Sequence, residues 1–221
     1  MEVYSLLVDE IISDVDEKNA LFDAVTTLPA VSKKVTWASQ WADRDNASFA
    51  ERLVAWGAME SILFSASFAS IFFIKHTYAT MPGLAFANEL ISRDEGLHAQ
   101  FAALLYSKLI RPLSVETFHE IIKSAVDVEI QFVCDALKDN GDVSTLPTAE
   151  DMTQYVQYIA DQTCAMFSQP VIYNASIPET MMYMQSMSLR GKANFFERRV
   201  SAYSVAPPLK ETPDLKFDSD F

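Results

Sequence analysis

From Leu53 to Ile74 the chain runs 22 residues with Glu60 as its only ionisable group. Two structures can absorb such a run. One is a membrane-crossing helix, for which ~20 apolar residues suffice. The other is a helix buried on all sides in a soluble bundle. A carboxylate near the middle of a span is costly in lipid, and Ser61, Ser65, Ser67 and Ser70 dilute the apolar character. The run therefore predicts a buried helix, and no membrane partner is expected. Half of the 221 residues are hydrophobic and only 5 are Gly, a balance that favours helices over a turn-rich β-fold.

Helical periodicity accounts for most of the rest. Val3, Leu6, Leu7 and Ile11 place a first helix from Glu2 to about Ser13. Shorter helices are expected over Glu17 to Leu28 and Val31 to Asp43, divided at Pro29. A long helix opens near Ser48 and runs through the apolar stretch to about Tyr78. Met81-Pro82-Gly83 punctuates it, and a second long helix follows from about Leu84 to Leu109, stopped near Pro112. Ser114 to Lys138 and Ala149 to Phe167 fit two more, with a turn at Asn140-Gly141 between them. Ile177 to Ser188 is a weaker, Met-rich candidate. Ser204 to Phe221 differs in kind: it holds Pro207, Pro208 and Pro213, and acids outnumber lysines there. The reading is one all-α helical domain over 1–203 and a flexible C-terminal tail over 204–221.

A net charge of -13 repels phosphate backbones, so a nucleic-acid partner is not expected. Cys134 and Cys164 lie far apart in apolar helical contexts, as free thiols in a reducing compartment do. A cytoplasmic location follows, and Met1-Glu2 opens no signal-peptide pattern.

The chemistry concentrates in Glu60, Glu95 and His98. Glu95-Gly96-Leu97-His98 is a Glu-x-x-His pair within a long helix. Residues three apart share a face, so carboxylate and imidazole can reach one metal ion. Burying the bare Glu60 carboxylate is unfavourable, and metal coordination offsets that. Ferritin-like di-metal bundles take one carboxylate from each of two helices and a Glu-x-x-His from each of two others. Here one lone Glu and one such pair supply half of that pattern. Glu116 and His119 are also three apart, but at the polar start of a helix, where a coordinating pair would miss the buried seam. His76 has no acid three residues before it.

The run Met81-Pro82-Gly83-Leu84 and then Asn88 to His98 (NELISRDEGLH) resembles the signature of class I ribonucleotide reductase small subunits, eukaryotic type. The resemblance extends to Met1–Val8 (MEVYSLLV), Phe64–Ala69 (FSASFA), Asn194–Val200 (NFFERRV) and Phe217–Phe221 (FDSDF). It implies a ferritin-like helical bundle that holds two iron ions and forms a tyrosyl radical for deoxyribonucleotide synthesis. It implies Glu60, Glu95 and His98 as metal ligands and Tyr4 as the radical site. Phe64, Phe68 and Ile91 would form the dry pocket around that radical. Their four-residue steps from Glu60 and Glu95 would turn them to the same seam. Asp94 would link the metals to a long-range electron and proton route, and Tyr203 would pass the oxidising equivalent to the large subunit. Phe217, Asp218, Asp220 and Phe221 would dock that large subunit, the two rings four apart as in helix-in-groove binding. A homodimer is also expected.

The same resemblance implies a gap. Relatives carry a second Glu-x-x-His just before the radical tyrosine and an aspartate ligand further upstream, and Met1 falls just after that histidine. Three of six ligands would then lie outside the chain, and a separate N-terminal piece is expected to supply them. Trp37, Trp41 and Trp56 do not fall on the family's relay position and are assigned to packing. Manganese in one or both places would use the same ligand types as iron. Three roles stay open at this level. The chain could be an enzyme component completed by its missing half. It could be a non-catalytic module that occupies the large subunit. It could be a homodimer that assembles a metal site between two copies.

Overall fold

The structure is a computed structural model that describes residues 2–42, 45–79, 81–138 and 147–184. All its regular elements among these residues are helical. Helix α1 spans Glu2–Ile11 and α2 Val15–Phe22. Asp14 caps α2 by accepting the Glu17 N–H at 2.8 Å, and Asp16 and Glu17 in the first turn suit the helix dipole. A short α3 covers Ala24–Thr27, and α4 covers Pro29–Ala42. Pro29 thus opens a helix rather than merely dividing two, because its missing N–H is unneeded in a first turn.

Helix α5 spans Phe49–Ser61 and begins with a capping box between Ser48 and Glu51. The single helix expected from Ser48 to Tyr78 is in fact two: α6 starts at Ser65 and runs to Tyr78. The break has a local cause. The Ile62 carbonyl accepts both the Ser65 N–H at 3.0 Å and the Ser65 hydroxyl at 2.7 Å, a tighter turn that competes with α-helical pairing. Helix α7 is Pro82–Tyr106, entered through left-handed residues Ala79 and Met81. Helix α8 is Val115–Lys138, and α9 is Ala149–Met166 with a Thr148–Asp151 capping box.

Helix α5 sits at the centre, packed on α4, α7, α8 and α9. Val54, Ala58 and Ile62 meet Phe118, Ile122 and Val126 of α8 and Val156 and Ala160 of α9 in one buried core. Small residues on α5 permit the close approach. A Cβ built on Gly57 would stand 2.6 Å from Cζ of Phe167. The Phe49–Tyr78 stretch is long and apolar enough to cross a bilayer, and here it is interrupted and packed against the other helices.

After α9 the chain is held by one buried acid. Asp161 accepts the N–H groups of Ile172 (2.8 Å), Tyr173 (3.0 Å) and Ala175 (2.8 Å). The helix expected from Ile177 is reduced to a 3-10 turn at Glu179–Met181, and residues 185–188 lie outside the described set. Cys164 is buried and Cys134 half-buried, both free thiols. The expected tail over 204–221 and the Asn140-Gly141 turn also lie outside the described residues.

Candidate metal centre

The packing of α5 on α7 brings the last turn of α5 against the middle of α7. Glu60 occupies that last turn, and Glu95 and His98 share one face of α7 at a spacing of three. Ligand atoms of all three lie within 4.8 Å of one another. His98 Nδ1 stands 2.9 Å from Glu95 Oε2 and 3.4 Å from Glu60 Oε2. The side chains grade outward: Glu60 is 13% exposed, Glu95 23% and His98 53%. The cluster is therefore closed on the α5 side and open beyond His98.

The second Glu60 oxygen is taken by Trp56, whose Nε1–H donates to Oε1 at 2.7 Å. Trp56 also stacks on His98 and meets Phe101 edge-on. Packing, the role read for Trp56 from sequence, is only part of what it does, since it also orients an acid of the cluster. The signal was present as a spacing of four on one helix, 56 to 60.

The electrostatics follow from crowding. Burial, and then the neighbouring Glu95, push Glu60 up to about 6. Glu95 is held below its ordinary value, first by its hydrogen bond with Glu60. His98 is raised, chiefly by its hydrogen bond to Glu95. Two carboxylates thus compete for one proton, with the His98 imidazole and the Trp56 N–H beside them. A divalent cation satisfies that arrangement, and an O,O,N donor set suits first-row metals such as iron and manganese. The residues present fit such an ion.

The other sequence-predicted residues distribute differently. Asp94 is 60% exposed, its carboxylate 3.9 Å from Arg93 Nε, outside the Glu60–Glu95–His98 group. Phe64 is 43% exposed at the start of α6, with its ring 6.4 Å from that of Phe68. Phe68 and Ile91 are half-buried. The expected four-residue register from Glu60 through Phe64 to Phe68 assumed one unbroken helix, and the break at Ile62–Phe64 interrupts it. Tyr4 belongs to α1, and its side chain lies outside the described set, as do Tyr203, Phe217, Asp218, Asp220 and Phe221. The Glu116–His119 pair joins no cluster: His119 Nε2 donates to the Pro170 carbonyl at 2.9 Å, tying α8 to the segment after α9. His76 stacks on Tyr183 with ring centroids 5.1 Å apart.

A family model described as "Ribonucleotide reductase, small chain" matches residues 1–180. A ribonucleoside-diphosphate reductase small chain from Nicotiana tabacum is 45% identical over 231 residues, covering 100% of this chain and 67% of the relative. The Vaccinia virus (strain Ankara) small chain is 44% identical, again covering 100% and 67%. The Danio rerio subunit M2 is 44% identical, with 56% of its length covered. Among solved structures, the Rnr4 homodimer from Saccharomyces cerevisiae superposes with a TM-score of 0.71 at 30% identity, covering 92% of this chain and 60% of that one. The chain thus spans about two thirds of the plant and poxviral relatives, and less of the fish and yeast proteins.

Proposed function

The chain belongs to the ribonucleotide reductase small-chain family, and on that premise we propose that it contributes to the radical-generating subunit of a ribonucleoside-diphosphate reductase. Members of this ferritin-like family form the tyrosyl radical used in deoxyribonucleotide synthesis and work with a large subunit. When bound, a di-iron centre supplies the one-electron oxidising chemistry that such a radical requires, and manganese would use the same ligand types.

Glu60, Glu95 and His98 would hold that centre from this side. Trp56 fixes Oε1 of Glu60 and leaves Oε2 turned toward Glu95 and His98. The proton contested by the two acids is the one a cation would displace. Tyr4 would carry the radical, with Phe64, Phe68 and Ile91 excluding water from it. Asp94 and Tyr203 would serve the route to the large subunit, which Phe217, Asp218, Asp220 and Phe221 would dock. The remaining ligands would come from sequence beyond these 221 residues, as a separate N-terminal piece or in the same polypeptide. The open side of His98 favours this reading, since Leu97, Phe101 and Leu104 stand exposed around it. A homodimer in the cytoplasm is the expected setting.

One observation carries the proposal: two acids and an imidazole from two helices converge within 4.8 Å. Iron binding and the tyrosyl radical signal test it, in the wild type and in H98A. The expected result is weak, His98-dependent iron binding by this chain alone, with a radical only when the complementary ligands are added. A full radical signal from the chain alone overturns the half-site reading. Equal iron binding by H98A overturns the site.

A further inference from the structure

The break between α5 and α6 is held by two charges that belong to no motif. In an unbroken helix each carbonyl accepts from the N–H four residues on. Unwinding at Ile62–Phe64 changes the partners of groups within the break and at the start of α6. The Leu63 carbonyl accepts from Lys34 Nζ at 2.6 Å. The Ala66 N–H donates to Glu129 Oε1 at 3.0 Å. Lys34 reaches in from α4 and Glu129 from α8, and their charged ends meet at 2.5 Å. Lys34 Nζ also lies 3.5 Å from the centroid of the Phe132 ring. Glu129 is fully buried, and the Lys34 side chain is 15% exposed.

Stability alone does not account for this pair. Desolvation raises Glu129 to about 7 despite the pull of Lys34, and it lowers Lys34. Apolar residues of similar volume often serve a core as well as a buried ion pair or better. They cannot, however, bond to a carbonyl inside the break and an N–H just after it. The break also lies where geometry matters most. Glu60 is in the last turn before it, and Phe64 and Phe68 follow directly.

We propose that Lys34 and Glu129 are positioning residues for the metal centre: by bonding the Leu63 carbonyl inside the Ile62–Phe64 break and the Ala66 N–H in the first turn of α6, they fix the break, and with it Glu60, relative to α7 and to Phe64 and Phe68. The inference rests on the metal-site reading above. Neither side chain touches the cluster. Each acts through the backbone, and a freed break lets the last turn of α5 drift from Glu95 and His98.

The test uses the full chain, Mn2+ as the probe and the paramagnetic resonance signal of free Mn2+ as the readout. K34M/E129L removes both charges together while keeping apolar volume. It is expected to hold Tm at or above the wild type, bind Mn2+ roughly tenfold more weakly and lose amide-exchange protection at Ala66. K34M/E129Q keeps a side-chain acceptor for the Ala66 N–H and is expected to recover part of that affinity. Wild-type affinity in K34M/E129L, or no recovery in K34M/E129Q, overturns the proposal. A wild type that ignores Mn2+ sinks the metal reading instead. In that case lost protection at Ala66 in K34M/E129L still supports the capping role, and unchanged protection overturns it.

Discussion

Glu60 has one oxygen on the Trp56 indole and the other turned toward Glu95 and His98, so its freedom to rotate is already spent before a cation arrives. Trp56→Phe keeps the ring against His98 and Phe101 and removes only the N–H. Divalent-metal affinity is expected to fall roughly tenfold, as for other losses of a ligand's hydrogen-bond partner. Calorimetric titration with Mn2+ measures it, and an unchanged affinity removes the orienting role. The pH dependence has a definite sign. The folded-state value of Glu60, about 6, lies above its ordinary 4.5. Between these values the metal-free fold holds a proton that the unfolded chain has released, so this group's contribution is present at the acid end and is lost as pH rises through about 6. Metal binding runs the other way, because the cation displaces that proton. Mn2+ affinity should climb through about pH 6, and a flat profile from pH 5 to 7 contradicts the shared-proton account. Glu60, Glu95 and His98 were legible in the sequence because a lone acid in an apolar run and a Glu-x-x-His on one helix face are both local patterns. Trp56 was legible in principle, by spacing. Lys34 and Glu129 were not, since their meeting depends on how α4, α6 and α8 pack, and neither residue type is unusual on an amphipathic helix.

At the scale of elements, the apolar run was read correctly as helix and wrongly as one helix. Its composition does not change across Ser61 to Ser65, so periodicity cannot locate the break. The serine hydroxyl that bonds backwards to Ile62 does locate it, once the backbone is seen. The buried position of α5 was foreshadowed by the apolar run from Leu53, and Gly57 shows how close its neighbours come. Gly57→Ala would set a Cβ 2.6 Å from the Phe167 ring and 3.2 Å from Ala102 Cβ. Both neighbours belong to the buried core, so the ring must move. A loss of about 1–3 kcal/mol is expected from overpacking. Gly96→Ala is the control, on α7 with nothing within 4 Å of the added carbon. There the gain in helix propensity is up to about 1 kcal/mol. Urea unfolding of the metal-free chain separates the two, and similar midpoints would mean that Phe167 yields without cost.

For the molecule as a whole, family membership was readable from ordered motifs spread along the chain, whereas the state of its surface was not. Motifs say which residues act, not which faces are covered. Leu97, Phe101 and Leu104 stand on α7 around His98, each with about half of its surface exposed (51–55%). A patch of that kind beside the open Glu60–Glu95–His98 cluster is the surface a further segment would cover. If the complementary ligands sit on that segment, covering the face and completing the site are one event. The isolated chain should then bind an environment-sensitive apolar dye. Adding the N-terminal piece proposed above should displace the dye and raise iron stoichiometry together, with the same midpoint. Leu97→Ser with Leu104→Ser leaves Glu60, Glu95, His98 and the Phe101 ring against Trp56 unchanged, yet it should weaken association with the segment about tenfold or more, from the buried apolar area lost. If iron stoichiometry rises while dye binding is unaffected, the segment completes the site from another direction, and the exposed stripe on α7 serves a different contact.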